Sequence, residues 1–302
     1  MDFVISGGEE RFRVVGIDEN AYGPILGPMT VTGVLLDVPE PPFIYLDLNQ
    51  LNPPKGLRDS KKVFTRSESS YSLGEIVALS LITSAGGEVS NFRELLEFVS
   101  DTSRLKESEL ISALDLELHL PLWAKHIDPS PITHWFETME IEVKDIRVEI
   151  VTAKEFNELL KSSGSKSTLD FWKFMDVMSA LPDFDLAMCG KLGGTRYYGR
   201  LFEGIGVNVT AIQETRGISS YRLADGREIH FILNGDERFL PIAMASIVGK
   251  YVREVFMFLM NKLVGHDEPV PWASGYRHDA KTYQLMEELR QRFPKEEVVR
   301  ER

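Results

Sequence analysis

The sequence predicts an α/β protein in which helices flank a mixed, part parallel and part antiparallel, β-sheet. Short runs rich in β-branched residues alternate with longer helix-like stretches along the chain. Three β-like segments then follow one another within 207–233 without a helix between them, which favours an antiparallel part. The 302 residues, 43% of them hydrophobic, can bury a substantial core.

The first two strands are predicted near the amino-terminal end. The stretch 13–17 is rich in β-branched residues, and the Gly-Pro pair at 23–24 marks a turn that cannot continue a ladder. MTVTGVLL, at 29–36, predicts the second strand. Asp18 and Glu19 are thus expected at the mouth of the first strand. Adjacent strand residues point to opposite faces, so these acids can share one ion only if the backbone bends there.

Later elements follow from capping and turn signals. Thr65 with Glu68, and Thr152 with Glu155, match the capping-box pattern of a helix start. Asp-Gly at 225–226 predicts a hairpin between two strands. The remaining predicted elements are strands at 143–151 and 184–189 and helices at 167–181 and 241–264.

These elements predict one domain over residues 1–302, with an insertion at about 86–150 and a helical carboxyl-terminal part at about 265–302. We find neither an apolar run of membrane-spanning length nor a signal-peptide core, so a cytoplasmic location is expected. The single cysteine, Cys189, rules out an internal disulfide, and a buried, inert thiol is the default expectation.

The formal net charge of -12 argues against a strongly basic nucleic-acid binder. It leaves room for a local basic groove, because an acidic protein can still carry one. Carboxylates clustered at a metal site would also contribute to the negative total. The net charge therefore excludes few classes of function, and the sequence motifs are more informative.

Four separated strings resemble motifs of the type 2 ribonuclease H family. GIDENAYGPILGP is similar to GIDEAGRGPxxGP, and LRDSKKV is similar to xxDSKKL. NGDERFLPIAMASIVGKYVRE is similar to GDxxxxxxxAASIxAKxxRD, and SGYRHDAKTY is similar to SGYPSDxxT. The strings occupy roughly 12–62 and 230–285 in the family's order, whereas the middle of the chain aligns only weakly. The resemblance implies a ribonuclease H-like fold.

The resemblance also implies an activity. The family cuts RNA in RNA/DNA hybrids, or at a ribonucleotide embedded in DNA, with four acids around two Mg²⁺ or Mn²⁺ ions. Carboxylates suit these ions because both prefer hard oxygen ligands. Asp18 and Glu19 match the family's first two acids, and Asp236 matches its fourth. By resemblance, these three residues are both the catalytic and the metal-binding set.

The third acid of the family is missing. The strand that normally ends in this aspartate reads DLAMCGKLGG, which leaves Cys189 or Gly190 in its place. A thiol is a soft ligand poorly suited to Mg²⁺, and glycine offers no side chain. Glu214, at the end of a later strand, and Glu254, on the long predicted helix, are candidate replacement ligands. For Glu214 the simpler interpretation is a solvated strand end.

Five further residues are predicted by resemblance to contact substrate, and they are Tyr22, Gly23, Lys61, Lys62 and Tyr276. Tyr22 stands where the family's Gly-Arg-Gly loop has arginine, so it can stack or donate one hydrogen bond but cannot neutralise a phosphate. The predicted partner is an RNA/DNA hybrid or a ribonucleotide-containing duplex. The alternative is an inactive homologue that binds nucleic acid or a protein partner.

Overall fold

The computed structural model describes residues 11–40, 46–58, 60–65 and 67–301. Within this part of the chain, seven strands form one sheet in the order β3-β2-β1-β4-β7-β6-β5. The strands are β1 (Arg11–Asn20), β2 (Met29–Pro39), β3 (Glu142–Val151), β4 (Leu186–Gly190), β5 (Val209–Glu214), β6 (Ile218–Leu223) and β7 (Glu228–Ile232).

The sheet is mixed, as predicted. β1 runs parallel to β4, and β4 runs parallel to β7, whereas the remaining neighbours pair antiparallel. The predicted Asp-Gly hairpin joins β6 to β7. The parallel strands bring the carboxyl ends of β1, β4 and β7 to one edge of the sheet, which is where ligands usually bind in α/β folds.

Helices flank the sheet on both faces. They are α1 (Ser60–Val63), α2 (Glu68–Ser84), α3 (Phe92–Val99), α4 (Glu109–Ser112), α5 (Ser130–Thr138), α6 (Ala153–Ser163), α7 (Lys166–Ala180), α8 (Gly199–Gly204), α9 (Gly235–Arg238), α10 (Leu240–Leu263), α11 (Ala280–Arg290) and α12 (Lys295–Val298), with a short 3₁₀ helix at Arg104–Glu107. The predicted α/β class is confirmed. Among the described residues, no helix combines the length and apolar character needed to span a membrane.

Two apolar cores lie on opposite faces of the sheet because side chains alternate along each strand. Val14 of β1 belongs to the core that contains α2 and α10. Val15 and Ile17 belong to the core that contains Phe171 and Phe174 of α7. These cores define an α10 face and an α7 face, and the same alternation decides where the acidic residues of β1 point.

The end of β1 differs from the sequence prediction. The strand continues to Asn20 and pairs with β2 without a register shift, since Asp18 lies opposite Thr32 and Glu19 lies opposite Val31. The turn begins only at Ala21, whose φ of 74° lies in the left-handed region. The two acids therefore lie within a regular strand and point to opposite faces of the sheet.

Two helix starts test the capping predictions. Thr152 accepts a hydrogen bond from the Glu155 backbone N–H and caps α6, as predicted. The cap of α2 is Ser67, not Thr65, and it forms a capping box with Ser70. Serine is as good an N-cap residue as threonine. The helix therefore begins two residues later than the pattern of Thr65 with Glu68 predicts.

The boundaries of the predicted insertion remain a prediction. β3 pairs with β2 along most of its length, so residues from Glu142 onward are part of the central sheet. The residues before it form short helices whose apolar side chains join the core on the α10 face. The carboxyl-terminal part is helical, as predicted, with α11 and α12.

Candidate active site

A cavity of about 230 Å³ opens at the carboxyl ends of β1, β4 and β7. It is lined by Asp18, Glu19, Asn20, Ala21, Tyr22, Gly23, Ser60, Lys61, Gly190, Lys191, Ile232, Leu233, Asn234, Gly235, Asp236, Ser246, Lys250 and Tyr276. Segments far apart in the sequence therefore meet here. Of the substrate and metal residues predicted from the sequence, only Lys62, Glu214 and Glu254 lie outside this lining.

Asp18 lies on the α10 face of the sheet. Burial, together with the negative charges of Asp236 and Glu19, raises the pKa of Asp18 well above its ordinary value. A hydrogen bond from the Ser246 hydroxyl of α10 and the charge of Lys61 act in the opposite direction. The carboxyl group is thus crowded by like charge, an arrangement that a bound cation would relieve.

Asp236 comes from the short helix α9 and is 7% exposed. Lys61 approaches it, with Nζ 3.4 Å from Oδ2. The turn that presents Asp236 is tight. Asn234 has a φ of 53°, and a Cβ on Gly235 would lie 2.5 Å from Cδ1 of Ile242. The Asn-Gly pair before Asp236 is therefore required by backbone geometry and packing.

Glu19 points to the α7 face. One of its carboxylate oxygens, Oε2, is buried and has no hydrogen-bond partner among the described residues. Burial raises the pKa of Glu19 to about 7, although the Tyr22 backbone N–H and the charges of Arg300 and Lys61 favour the ionised form. Oε2 of Glu19 is therefore an oxygen atom beside the cavity that could coordinate a cation.

Arg300, in the carboxyl-terminal segment, is a buried cation whose positive charge favours the ionised form of Glu19. It is 1% exposed, and its three guanidinium nitrogens have no hydrogen-bond partner among the described residues. Its guanidinium lies 5.0 Å from the centre of the Phe156 ring. Burial and the positive charge of Arg253 lower the pKa of Arg300 to about 9, while Glu19 acts against this shift.

Gly190, one of the two positions that the sequence left open for the family's third acid, lies beside Asp18. β1 and β4 are parallel and in register, with Ile17 opposite Cys189, so Gly190 follows beside Asp18. A Cβ on Gly190 would lie 2.3 Å from Oδ1 of Asp18. Cys189 points instead into the core on the α7 face, where burial raises the pKa of its thiol well above the ordinary value. Of the two positions that the sequence left open, only Gly190 adjoins Asp18.

We expect Gly190→Asp to raise Mn²⁺ affinity about tenfold, because it adds a carboxylate beside Asp18. Tenfold corresponds to ~1.4 kcal/mol of binding free energy. The new Cβ would require the end of the Asp18 side chain to shift, and it would meet the Ile17 carbonyl oxygen at an ordinary contact distance of 3.8 Å. Isothermal titration calorimetry with Mn²⁺ measures the change. Gly190→Asn is the matched control, and an equal gain from asparagine would contradict an effect of charge.

Tyr276 lines the cavity from the carboxyl-terminal part of the chain. Its ring lies 5.6 Å from the guanidinium of Arg253, which donates a 2.9 Å hydrogen bond to the Ser274 carbonyl. Arg253 also pairs with Glu254 at 2.9 Å. A buried ion pair in α10 therefore supports the loop that carries Tyr276.

Tyr22 and Gly23 form the opposite wall. Tyr22 is half-buried, and a Cβ on Gly193 would lie 3.8 Å from its hydroxyl, so its ring faces the glycine-rich loop after β4. Burial, with the charges of Asp170 and Glu19, raises the pKa of the Tyr22 hydroxyl. Gly23 has no atom within 4 Å of the position that a Cβ would take.

Glu214 and Lys62 lie elsewhere. Glu214 ends β5, at the far edge of the sheet, and accepts a hydrogen bond from the Tyr221 hydroxyl. Four strand spacings of about 4.8 Å put β5 roughly 19 Å from β1, so we do not retain Glu214 as a ligand. Lys62 pairs with Glu237 at 3.7 Å beside the cavity. Asp59, within LRDSKKV, lies outside the described residues.

The donor chemistry of the cavity suits Mg²⁺ or Mn²⁺, since Asp18, Glu19 and Asp236 all offer hard oxygen atoms. The unpartnered oxygen of Glu19 and the like-charge crowding around Asp18 are both features that a cation would satisfy. As the side chains stand, no group of three or more His, Cys, Asp or Glu within the described ranges is arranged to hold a metal ion. Binding would therefore require side-chain adjustment.

Sequence reasoning missed three residues of this region. Ser246, the hydrogen-bond partner of Asp18, lies in the string similar to AASIxAK, so the motif contained the signal. Asp170 interrupts an apolar stretch of α7 and is fully buried. Its position within an apolar stretch could have predicted a buried acid. The burial of Arg300 could not have been predicted, because its local sequence contains no signal for it.

Comparison with known proteins identifies one family. Residues 206–302, about the last third of the chain, match the ribonuclease HII family model. This segment contains Asp236, Ser246 and Tyr276. No curated protein matches the chain at a significant level.

Several solved structures are similar to the chain at low identity. Ribonuclease HII from Archaeoglobus fulgidus, in a complex with PCNA, is 15% identical, with 96% of this chain and 95% of that chain covered and a TM-score of 0.45. Ribonuclease H2 from Pyrococcus horikoshii OT3 is 15% identical, with 95% and 92% covered and a TM-score of 0.45. Bst-RNase HIII in complex with Mn²⁺ is 12% identical, with 95% and 66% covered and a TM-score of 0.44. TM-scores below 0.5 do not establish a shared fold. The similarity of this chain to ribonuclease HII therefore rests on residues 206–302, which match the family model.

Proposed function

We propose that this chain is a divergent ribonuclease H-like endonuclease that hydrolyses RNA in RNA/DNA hybrids, or at ribonucleotides embedded in DNA, with Mg²⁺ or Mn²⁺. The observation that carries the proposal is the convergence of Asp18, Lys61, Asp236 and Tyr276, from four separate motifs, on one cavity. The family match of residues 206–302 supports a ribonuclease H-like function. A cytoplasmic location remains a prediction.

The acids of the cavity would hold the ions. Asp18 and Asp236 approach from β1 and α9, whereas Glu19, which points to the opposite face of the sheet from Asp18, would contribute its unpartnered oxygen to a separate ion at the edge of the same cavity. When bound, such ions activate a water molecule and stabilise charge on the phosphate during in-line displacement. Ser246 orients Asp18, and Lys61 adds positive charge next to Asp236.

The remaining lining residues would position the nucleic acid. Tyr276 offers an aromatic face to the deoxyribose beside the cut, and Tyr22 offers a second ring for stacking on a sugar or base. Gly23 leaves room for close approach of the backbone. Lys61 and Lys62 are both largely exposed and can contact phosphates at the rim. Tyr22 in place of arginine removes one positive charge from this surface.

The test compares three labelled duplexes, an RNA/DNA hybrid, a DNA duplex with one ribonucleotide and an all-DNA duplex. We expect Mn²⁺- or Mg²⁺-dependent cleavage of the first two only, because the proposed activity depends on the 2′-hydroxyl that distinguishes RNA from DNA. Denaturing gels locate the cut. Chelation with EDTA should stop cleavage and added metal should restore it, and the activity should co-elute with the protein.

Two outcomes would count against the proposal. Cleavage of the all-DNA duplex at a similar rate would indicate a nuclease without ribonucleotide selectivity. Tight binding of the hybrid without cleavage, under either metal, would favour the inactive homologue. Gel-shift measurements on the same three duplexes distinguish the second case from a protein that does not recognise nucleic acid.

A further inference from the structure

The loop after β4 carries the most exposed large apolar side chain in the described part of the chain. Tyr197 is 62% exposed, and the guanidinium of Arg196 lies 5.1 Å from the centre of its ring. A single exposed tyrosine is ordinary on a protein surface. Whether this one marks a binding surface therefore depends on how it is held and on what surrounds it.

The loop that displays Tyr197 is firmly supported by the sheet. Tyr198, the next residue, is buried and stacks on Phe231 of β7 with ring centres 3.8 Å apart. Its backbone N–H donates a 2.8 Å hydrogen bond to the Tyr221 hydroxyl, and its hydroxyl accepts one from the Leu192 N–H at 3.1 Å. A ring displayed from such a support loses little conformational freedom when it binds a ligand.

Two cations of the same loop contact backbone carbonyls instead of carboxylates. Nζ of Lys191 donates hydrogen bonds to the Thr215 and Arg216 carbonyls, both at 3.0 Å. The guanidinium of Arg196 donates two to the Glu214 carbonyl, at 3.2 and 3.0 Å. The heads of both cations therefore lie against the turn between β5 and β6, and their positive charge is not neutralised by an ion pair there.

The exposed charge of this loop and turn is positive, in a chain whose formal net charge is -12. Arg216, in the turn, is exposed and adds a third cation. Burial, together with the positive charge of Arg196, lowers the pKa of Lys191. The Glu214 carboxylate is half-buried and accepts a hydrogen bond from the Tyr221 hydroxyl. The anionic group that suits such a surface is a phosphate.

This surface is continuous with the cavity. Lys191 lines the cavity, and so does Leu233, whose side chain is 45% exposed. The Leu233 backbone N–H donates a 2.8 Å hydrogen bond to the carbonyl of Gly217, which follows Arg216 in the turn. The rim of the cavity thus passes directly into a basic-aromatic surface, which consists of Lys191, Arg196, Tyr197, Arg216 and Leu233.

We propose that the basic-aromatic surface binds an unpaired, single-stranded segment that adjoins the duplex held in the cavity. A base can stack on an aromatic ring only where its own face is free, so Tyr197 selects unpaired nucleotides over the stacked bases of a duplex. The cations contact the phosphates of the same segment. This inference rests on the proposed function, because the duplex part of the substrate occupies the cavity. The preferred substrate is then a hybrid with a single-stranded extension.

The test measures the affinity of two labelled probes by fluorescence anisotropy. One probe is a blunt RNA/DNA hybrid, and the other is the same hybrid with about eight thymidines added to either end of the DNA strand. Ca²⁺ replaces Mg²⁺ and Mn²⁺, because it binds oxygen ligands without the strict geometry of Mg²⁺, and denaturing gels verify that the probes stay intact. We expect the wild type to bind the extended hybrid about fivefold more tightly, the effect of stacking one base.

Variants of Tyr197 identify the contact. Tyr197→Phe should keep the preference because it keeps the ring, whereas Tyr197→Leu should abolish it and leave the affinity for the blunt hybrid unchanged. The matched control is Tyr283→Leu on α11, where the side chain is 45% exposed and lies outside the cavity lining, and it should keep the preference. Arg216→Gln should weaken binding of the extended hybrid about threefold and reduce its dependence on salt. These side chains are exposed, so melting temperatures should equal that of the wild type.

The outcomes separate this inference from the proposed function. Equal binding of the two hybrids, a preference that survives Tyr197→Leu or one that is lost in Tyr197→Phe would overturn the inference, and cleavage of the blunt hybrid with Mg²⁺ or Mn²⁺ would leave the proposed function standing. A preference that requires the Tyr197 ring, without cleavage of either hybrid, would support the inference and count against the proposed function. If neither hybrid is bound, both fail.

Discussion

Asp18→Asn should lower the rate of hybrid cleavage by roughly 1,000-fold or more, equivalent to ~4 kcal/mol of transition-state stabilisation. Asp18 is central to the proposed site. It lies beside Gly190, accepts a hydrogen bond from Ser246 and lines the same cavity as Asp236. Asparagine keeps the shape of the side chain and removes the charge that a metal ion requires. Single-turnover cleavage with excess enzyme and Mn²⁺ measures the chemical step directly.

The matched control is Asp225→Asn, in the exposed turn between β6 and β7. Its side chain is 51% exposed, and an Asn-Gly pair suits a hairpin as well as Asp-Gly does. We expect this control to cleave at the wild-type rate. Asp18→Asn should also unfold at no lower temperature than the wild type, because it relieves the repulsion from Asp236 and Glu19. Activity that survives in Asp18→Asn would point to a contaminant or to another site.

Local signals predicted most of the fold. The β-branched runs, the Asp-Gly hairpin and the Thr152 cap are each decided within a few residues, so the sequence alone contains the necessary information. The strand pairing order and the two faces of the sheet depend on contacts across the chain. The end of β1 shows the difference, because β2 continues to pair with it through Asn20, beyond the point where local composition predicts a turn.

The motifs predicted which residues meet at the cavity, whereas the roles of these residues stay predictions. Asp18, Glu19, Asp236 and Tyr276, from three of the four strings, all line the cavity. The position that matches the third acid was not predictable in the same way, because choosing between Cys189 and Gly190 required the parallel register of β1 and β4.

Glu254→Gln should destabilise the protein by about 3 kcal/mol at pH 7. Glu254 lies in α10 with its side chain 4% exposed, 2.7 Å from Lys250 and 2.9 Å from Arg253, and it accepts a hydrogen bond from the Tyr71 hydroxyl. Burial alone would raise the pKa of Glu254, but the charges of Lys250 and Arg253 outweigh it and lower the pKa from 4.5 to about 2. A shift of this size is linked to about 3 kcal/mol of folding free energy.

The sign of the pH dependence follows from this lowered pKa. The unfolded chain binds a proton at Glu254 below about pH 4.5, whereas the folded protein keeps the carboxylate ionised down to about pH 2. The stabilisation from Glu254 is therefore complete above pH 4.5 and is lost as the pH falls from 4.5 toward 2. The difference in unfolding free energy between the wild type and Glu254→Gln should shrink over the same interval.

Urea unfolding of both proteins between pH 3 and 8 measures this difference, with Glu287→Gln as the control. Glu287 pairs with Arg290 at 3.0 Å, but its side chain is 62% exposed, so its loss should cost less than about 0.5 kcal/mol. Equal effects from the two substitutions would show that the α10 ion pair contributes no more than a surface pair. Because Arg253 also donates a hydrogen bond to the Ser274 carbonyl and lies against the ring of Tyr276, a loss confined to Glu254→Gln would link the ion pair of α10 to the loop that carries Tyr276.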